Sequence, residues 1–322
     1  MNPFVNNEVV LPLADTPIKY NGLKASRLAI SLTGSNEWKW FYSSMIQIEY
    51  ERNLLNICHE KNPFIKEHRK VILTQTYSKD KLWRFICQKI NQGIYISMLL
   101  DLFYNPFREE YLNTHFNHQS LIHGYNSERR TLFVREFYNH HWITKEIDYF
   151  LVYKSFLSNK KSKMYLFKKK NKKSDFNKRK FLLELKCYAK SNYPICFRIL
   201  LGHLELSKRT YGLNAIREMI NNLRNPNYKV SISAELQMLL EHTKTMIMRL
   251  QFIGDNYYVD FENEINSYKD LLKNRQQCVF LYLKYELTDK QHILEKIICK
   301  LENSINTENK LLSCVEKAIS KM

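Results

Sequence analysis

The chain has 322 residues, 44% of them hydrophobic, with a net charge of +18 and only 7 glycines and 7 prolines. That apolar content can bury a sizeable core, and so few chain breakers exclude both a disordered chain and a turn-rich β-sandwich. The 7 cysteines are irregularly spaced with no CxxC pair, which excludes a small disulfide-stapled scaffold.

The N-terminal MNPFVNNEVVLPL has no basic stretch followed by an apolar signal core. Ser35 has the side chain of an N-cap, and Trp38, Phe41, Met45 and Ile48 recur at helical spacing, predicting a helix from about Asn36 into the fifties. Residues 71–77 have strand composition, and Leu82, Ile86 and Ile90 mark an amphipathic helix closed by Gly93. IYISMLLDLFY, SLIHGY and TLFVREFY read as strands, the last two joined by a hairpin turn at Asn126-Ser127-Glu128-Arg129. A helix is expected from about Lys145 to Leu157. The strongest apolar run, Gly93 to Tyr104, is broken by Asp101 and is far shorter than the roughly 20 residues of a membrane helix. The expectation is a cytoplasmic protein without a membrane span.

Much of the positive charge lies in Asn159 to Lys180. This run reads as a solvated basic connector, with contact to a polyanion or a membrane surface as the competing use. Lysine dominates it, and lysine is the poorer residue for fork-shaped phosphate recognition. No zinc-finger, RNP-like or helix-turn-helix signature accompanies it. Beyond it the periodicity is helical in 181–190, 213–223, 233–252, 257–287 and 289–318, divided by turn signals at Asn225-Pro226-Asn227, Gly254-Asp255-Asn256 and Thr288-Asp289. The expected organisation is α+β: a first domain over 1–158, the connector over 159–180, and a helical domain over 181–322. The long amphipathic helix at 257–287 is the surface on which a homodimer would form.

The chemistry-bearing features converge on residues 104–137. His115 and His118 flank the entry to an apolar strand, and the strand after the hairpin carries Glu136. An imidazole on one strand and a carboxylate on its antiparallel neighbour is how papain-like folds present a general base and its orienting partner. On this reading His118 is the base and Glu136 the orienter. Such a site also needs a thiol at the N-terminus of an early helix, where the dipole lowers its pKa. The segment before the expected helix reads Leu32-Thr33-Gly34-Ser35-Asn36, and the first cysteine is Cys58, near that helix's far end. Ser35 or Ser31 would have to replace the thiol, with backbone N–H groups near Gly34-Ser35 holding an oxyanion. A metal reading of His115, His118, His123 and the pair His140-His141 lacks an acidic ligand of known spacing. His123 reads as a surface or packed histidine, and His140-His141 as part of a turn. The four tryptophans sit at core-like spacing. No glycine-rich phosphate loop can be written, so no nucleotide cofactor is expected.

The segments NEWKWFYSSMIQIEY, GIYISMLLDLFYNP, HFNHQSLIHGYNSERRTLFVREFY, TYGLNAI and LLEHTKTMIMRLQFI together resemble the family carrying a butirosin-biosynthesis-protein-H-type N-terminal domain. The resemblance implies a papain-like domain related to bacteriocin-processing cysteine peptidases, and acyl transfer from a carrier-protein thioester to an amine in the family's active member. Carried over by position, His118 matches the family's histidine and Glu136 its acidic partner, while the cysteine has no counterpart. The implied role is an accessory protein of peptide natural-product biosynthesis that binds or transfers a peptidyl or carrier-tethered acyl group, with a carrier protein or peptide synthetase as partner. Two rivals stand beside it: a non-catalytic scaffold that binds a partner protein, and a nucleic-acid binder working through 159–180.

Overall fold

The computed structural model describes residues 7–58, 62–71, 78–138, 141–159, 163–192, 209–225, 227–228 and 230–321. In chain order the elements begin with β1 (Glu8–Val10), α1 (Gly22–Ser31), α2 (Ser35–Tyr42), β2 (Ile48–Glu51), β3 (Leu54–Ile57) and β4 (Ile65–Val71). Next come α3 (Lys79–Asn91), β5 (Ile94–Asp101), a 3₁₀ turn (Leu102–Tyr104), β6 (Asn117–Asn126), β7 (Thr131–Tyr138), β8 (His141–Asp148), α4 (Tyr149–Ser158) and β9 (Lys163–Lys169). The rest is α5 (Lys178–Ala189), β10 (Thr210–Tyr211), α6 (Gly212–Leu223), α7 (Ser233–Tyr257), α8 (Glu262–Thr288) and α9 (Gln291–Ser320). The α+β class holds, with antiparallel sheets followed by long helices. Two compact units divide the chain, one from Met1–Glu37 and Asn62–Lys173, the other from Trp38–Lys61 and Ser174–Met322. The segment 38–61 therefore belongs with the helical half and not with the first 158 residues.

The first unit is one antiparallel sheet in the order β4-β9-β5-β6-β7-β8, with β1 paired to the far end of β6. One face packs Ile96, Met98, Leu100, Ile122 and Val134 against Leu82, Ile86 and Ile90 of α3 and Val152 and Phe156 of α4. Tyr95, Leu121, Trp142 and Phe167 meet Ala25, Ala29 and Ile30 of α1 in a second cluster. Helix α3 closes as expected, with Gly93 at φ +70°, a left-handed conformation that costs glycine nothing.

The expected basic connector is corrected here. Its residues Lys163–Lys169 form β9, an interior strand between β4 and β5. Alternation explains the misreading: Met164 and Leu166 enter one cluster and Phe167 the other, while lysines crowd the strand's ends. The run is thus no continuous basic face. Residues 72–77 of the expected strand lie outside the described residues, and the strand ends at Val71. The helix expected from Lys145 starts at Tyr149, because Asp148 caps it by accepting from Phe150 N and Leu151 N. Residues 141–148 instead pair with β7 along their whole length. His141 is therefore in a strand, and His140 lies outside the described residues.

In the second unit β2, β3 and β10 form a small sheet beside helices α5 to α9. The long early helix is also corrected: α2 ends at Tyr42. Ser43 and Ser44 donate their N–H groups back to Trp40 and Phe41, Met45 turns at φ 57°, and Ile48 enters the β2–β3 hairpin. Arg52 and Asn53, both at positive φ, make the two-residue turn whose twist suits a hairpin. Arg249 holds the segment after α2 in place, donating to Ser44 O at 2.8 Å and Met45 O at 3.2 Å. Gly254-Asp255-Asn256 does not break α7, which runs to Tyr257 and ends at Tyr258 in the left-handed region. Helix α8 is unbroken over 27 residues.

Two buried histidines make each unit acid-sensitive. Burial pushes the His123 imidazole of the first unit down to about 4, and that of His242 in the second down to about 3. Both stay neutral while an unfolded histidine takes up a proton near pH 6.5, so stability is complete above that pH and falls as pH drops toward those lower values. Between pH 7 and pH 5 the His242 contribution is about 2 kcal/mol. Urea unfolding of a His242→Gln variant should show a correspondingly smaller loss across that interval. An unchanged pH slope would contradict the assignment.

Among the described residues no helix is long and apolar enough to cross a membrane. Cys58, Cys87, Cys187 and Cys278 are buried, as their apolar settings suggest, and Cys299 and Cys314 are exposed.

Candidate functional site

The site builds from the hairpin register of the first unit. Leu121 pairs with Arg135, so the next antiparallel position sets Ser120 opposite Glu136. Side chains two apart share a strand face, which puts His118 diagonally across from that carboxylate. Its ring nitrogen Nδ1 lies 2.7 Å from Glu136 Oε1. The N–H there is not aligned with the carboxylate oxygen, so the contact is electrostatic and not a linear hydrogen bond.

Glu136 is completely buried. A carboxylate in that position is tolerable only with donors around it. Phe137 N donates to Oε1 at 2.8 Å, and the Ser120 hydroxyl donates to Oε2. Ser120 escaped the sequence reading because it looked like one more small residue in an apolar strand. Its position opposite Glu136 becomes visible only once the register is known. The His118 side chain, by contrast, is 28% exposed, so the imidazole is accessible where its carboxylate is not. Phe116 stacks over it at 6.2 Å between ring centroids, and Phe137 meets it edge-on at 6.0 Å.

Beside the ring stands the N-terminus of α1, not of α2. A Cβ placed on Gly22, the first residue of α1, would lie 3.5 Å from His118 Cε1 and 3.1 Å from Gln119 O. Asn21 caps this helix by accepting from Lys24 N at 3.0 Å. The first-turn N–H groups of a helix carry partial positive charge. A nucleophile at Gly22 would thus sit at a helix N-terminus and beside an imidazole, but glycine has no side chain to supply one.

Ser35 is corrected accordingly. It is exposed at the start of α2, and the intervening α1 is about 15 Å long at 1.5 Å per residue. Its surroundings are those of Gly34, Glu37, Thr33 and Lys169, with Lys169 Nζ 3.0 Å from Glu37 Oε1. On the sheet, Lys168 pairs with Ile94 and His118 with Leu100, six residues along β5 and roughly 20 Å away. The Gly34-Ser35 amides are equally remote from His118. Ser31 is buried at the far end of α1, donating to Leu28 O. Helix α1 was missed because its apolar residues Ala25, Leu28, Ala29 and Ile30 are interleaved with serines, whereas Trp38 and Phe41 drew the helical reading toward α2.

His115 and His123 have structural partners. His115 Nδ1 lies 2.7 Å from Asp101 Oδ2, and its ring stacks on Phe103 at 4.2 Å. Burial pushes the Asp101 carboxyl up, but hydrogen bonds from His115, Phe103 N and Ser158 outweigh it and hold the group below its usual range. His123 is packed between Leu11 O at 2.9 Å and Thr144 Oγ1 at 3.0 Å. No cluster of three metal-ligating side chains occurs among the described residues. Across from His118, Arg108 ties the 102–116 loop to β7 by donating to Phe137 O, and its hydrogen bonds hold the Glu110 carboxyl low.

The arrangement can hold and orient a polar group against an imidazole at a helix N-terminus. Gly22 itself offers no side chain for a covalent step. No family model matches the chain, and no curated protein gives a significant match.

Proposed function

We propose that the first unit is a degenerate papain-like domain in an accessory protein of peptide natural-product biosynthesis. Its cleft, between the N-terminus of α1 and the His118 strand, binds a peptidyl or carrier-tethered acyl group without forming an acyl-enzyme. The observation that carries this reading is Gly22 standing beside the His118–Glu136 pair. A histidine, a buried carboxylate and a helix N-terminus brought together support a reading related to acyl-transfer sites, with no nucleophile at Gly22. The carbonyl of a bound thioester would face the α1 amides, and His118 would meet its polar end. Any transfer would then be direct: the amine attacks the thioester carbonyl, His118 accepts its proton while Glu136 orients the ring, and the C–S bond breaks as the carrier thiol leaves with that proton.

The test uses the full chain with an acyl-pantetheine thioester and with an acylated carrier protein. Calorimetry is expected to show binding that His118→Ala weakens by roughly tenfold, the worth of one good polar contact. Intact mass is expected to show no acyl adduct on the wild type. An adduct would overturn the non-covalent reading. Failure of both probes to bind would overturn the substrate class, leaving the scaffold reading.

A further inference from the structure

The core of the helical unit holds a second group of polar side chains, unrelated to His118. His242 of α7 is wholly buried and donates its Nε2–H to Ile46 O at 2.8 Å. Because burial keeps this imidazole neutral at ordinary pH, Nδ1 carries a lone pair and can only accept. Facing it at 4.0 Å is Oε1 of Glu308 on α9, also wholly buried. The other carboxylate oxygen, Oε2, is taken by Arg275 of α8, which also donates to Thr243 Oγ1 at 2.6 Å.

Two acceptors 4.0 Å apart cannot bond to each other, and neither has a hydrogen-bond partner among the described residues. Around them stand two more buried groups without aligned partners, the hydroxyls of Tyr188 on α5 and Tyr268 on α8. Tyr188 stacks obliquely on His242, ring centroids 5.1 Å apart, with its hydroxyl within hydrogen-bonding reach of Glu308, and the Tyr268 hydroxyl feels the same carboxylate charge. Burial first, and the Glu308 charge second, hold both phenols well above their usual range, so they are protonated donors. Buried polar atoms left without partners are rare, and a group of them converging on one point is the signature of an internal water, which commonly makes about three hydrogen bonds.

We propose that these buried groups together hold one water molecule. The water donates one proton to His242 Nδ1 and the other to Glu308 Oε1, and accepts from the hydroxyl of Tyr188 or Tyr268. Water is the smallest molecule with two donors, and the two acceptors are spaced for one bridging oxygen. A cation is a poorer occupant, because Arg275 already neutralises Glu308. The bound water ties α7 and α9 to α5 or α8 at one point.

A crystal structure of the unmodified full chain, at a resolution that shows ordered solvent, tests this. The expected result is a single density peak within about 3.2 Å of both His242 Nδ1 and Glu308 Oε1. In solution, a nuclear Overhauser contact between the His242 ring and a long-lived water should accompany it, lost in His242→Phe. If instead Tyr188 donates directly to Glu308 Oε1 and no peak stands against Nδ1, the proposal is overturned. A peak coordinated as a metal ion would overturn it equally.

Discussion

Replacing Arg275 by methionine is expected to destabilise the helical unit by about 3–5 kcal/mol, as a loss of urea midpoint at unchanged slope. The side chain is 1% exposed and its guanidinium is the counter-charge of Glu308, itself fully buried. Methionine preserves most of the volume, so the loss reports the charge left behind and not a cavity. The double variant Arg275→Met, Glu308→Leu separates the two effects. Once both charges are gone the desolvation cost disappears, and stability should recover most of the way toward wild type. A double variant as unstable as the single one would show that packing around Arg275, and not the buried pair, carries the stability.

This pair also shows where sequence reading reaches its limit. Arg275 and Glu308 stand in helices whose periodicity is legible, since Leu271, Cys278 and Tyr282 share the buried face of α8. Charged residues at such positions look like solvated surface until three helices close around them. The strands of the first unit were legible for the opposite reason. Branched and aromatic residues in β5 and β6 are buried on both faces, those of β7 alternate, and the hairpin turn between β6 and β7 carries its own turn chemistry. The proximity of His118 to Glu136 followed from adjacent antiparallel strands. Misreadings arose where local composition and tertiary place disagree. Lys163–Lys169 looked like a solvated run and is an interior strand, because only alternate residues need be apolar. Trp38 and Phe41 began a helical pattern that Met45 and Ile48 happened to continue across a turn. Gly22 beside His118 escaped notice because glycine carries no chemical signal, and only the packing of α1 against β6 makes it conspicuous.

The reading of the first unit rests on that glycine. Gly22→Cys would place a thiol at a helix N-terminus beside an imidazole, the two influences that lower a thiol pKa most effectively. The backbone at Gly22 is not left-handed, and the added Cβ meets only Gln119 O at less than 3.4 Å, so that carbonyl must give by a few tenths of an ångström. Iodoacetamide labelling of the Gly22→Cys variant at pH 6, followed by peptide mass mapping, tests the geometry most directly. The introduced thiol is expected to react roughly 30- to 100-fold faster than the exposed Cys299 in the same molecule, the gain that a thiolate-rich site offers at that pH. Adding His118→Ala should remove most of that advantage. An introduced thiol that reacts no faster than Cys299, or one indifferent to the loss of His118, would contradict the placement of a vacant nucleophile position beside the His118–Glu136 pair.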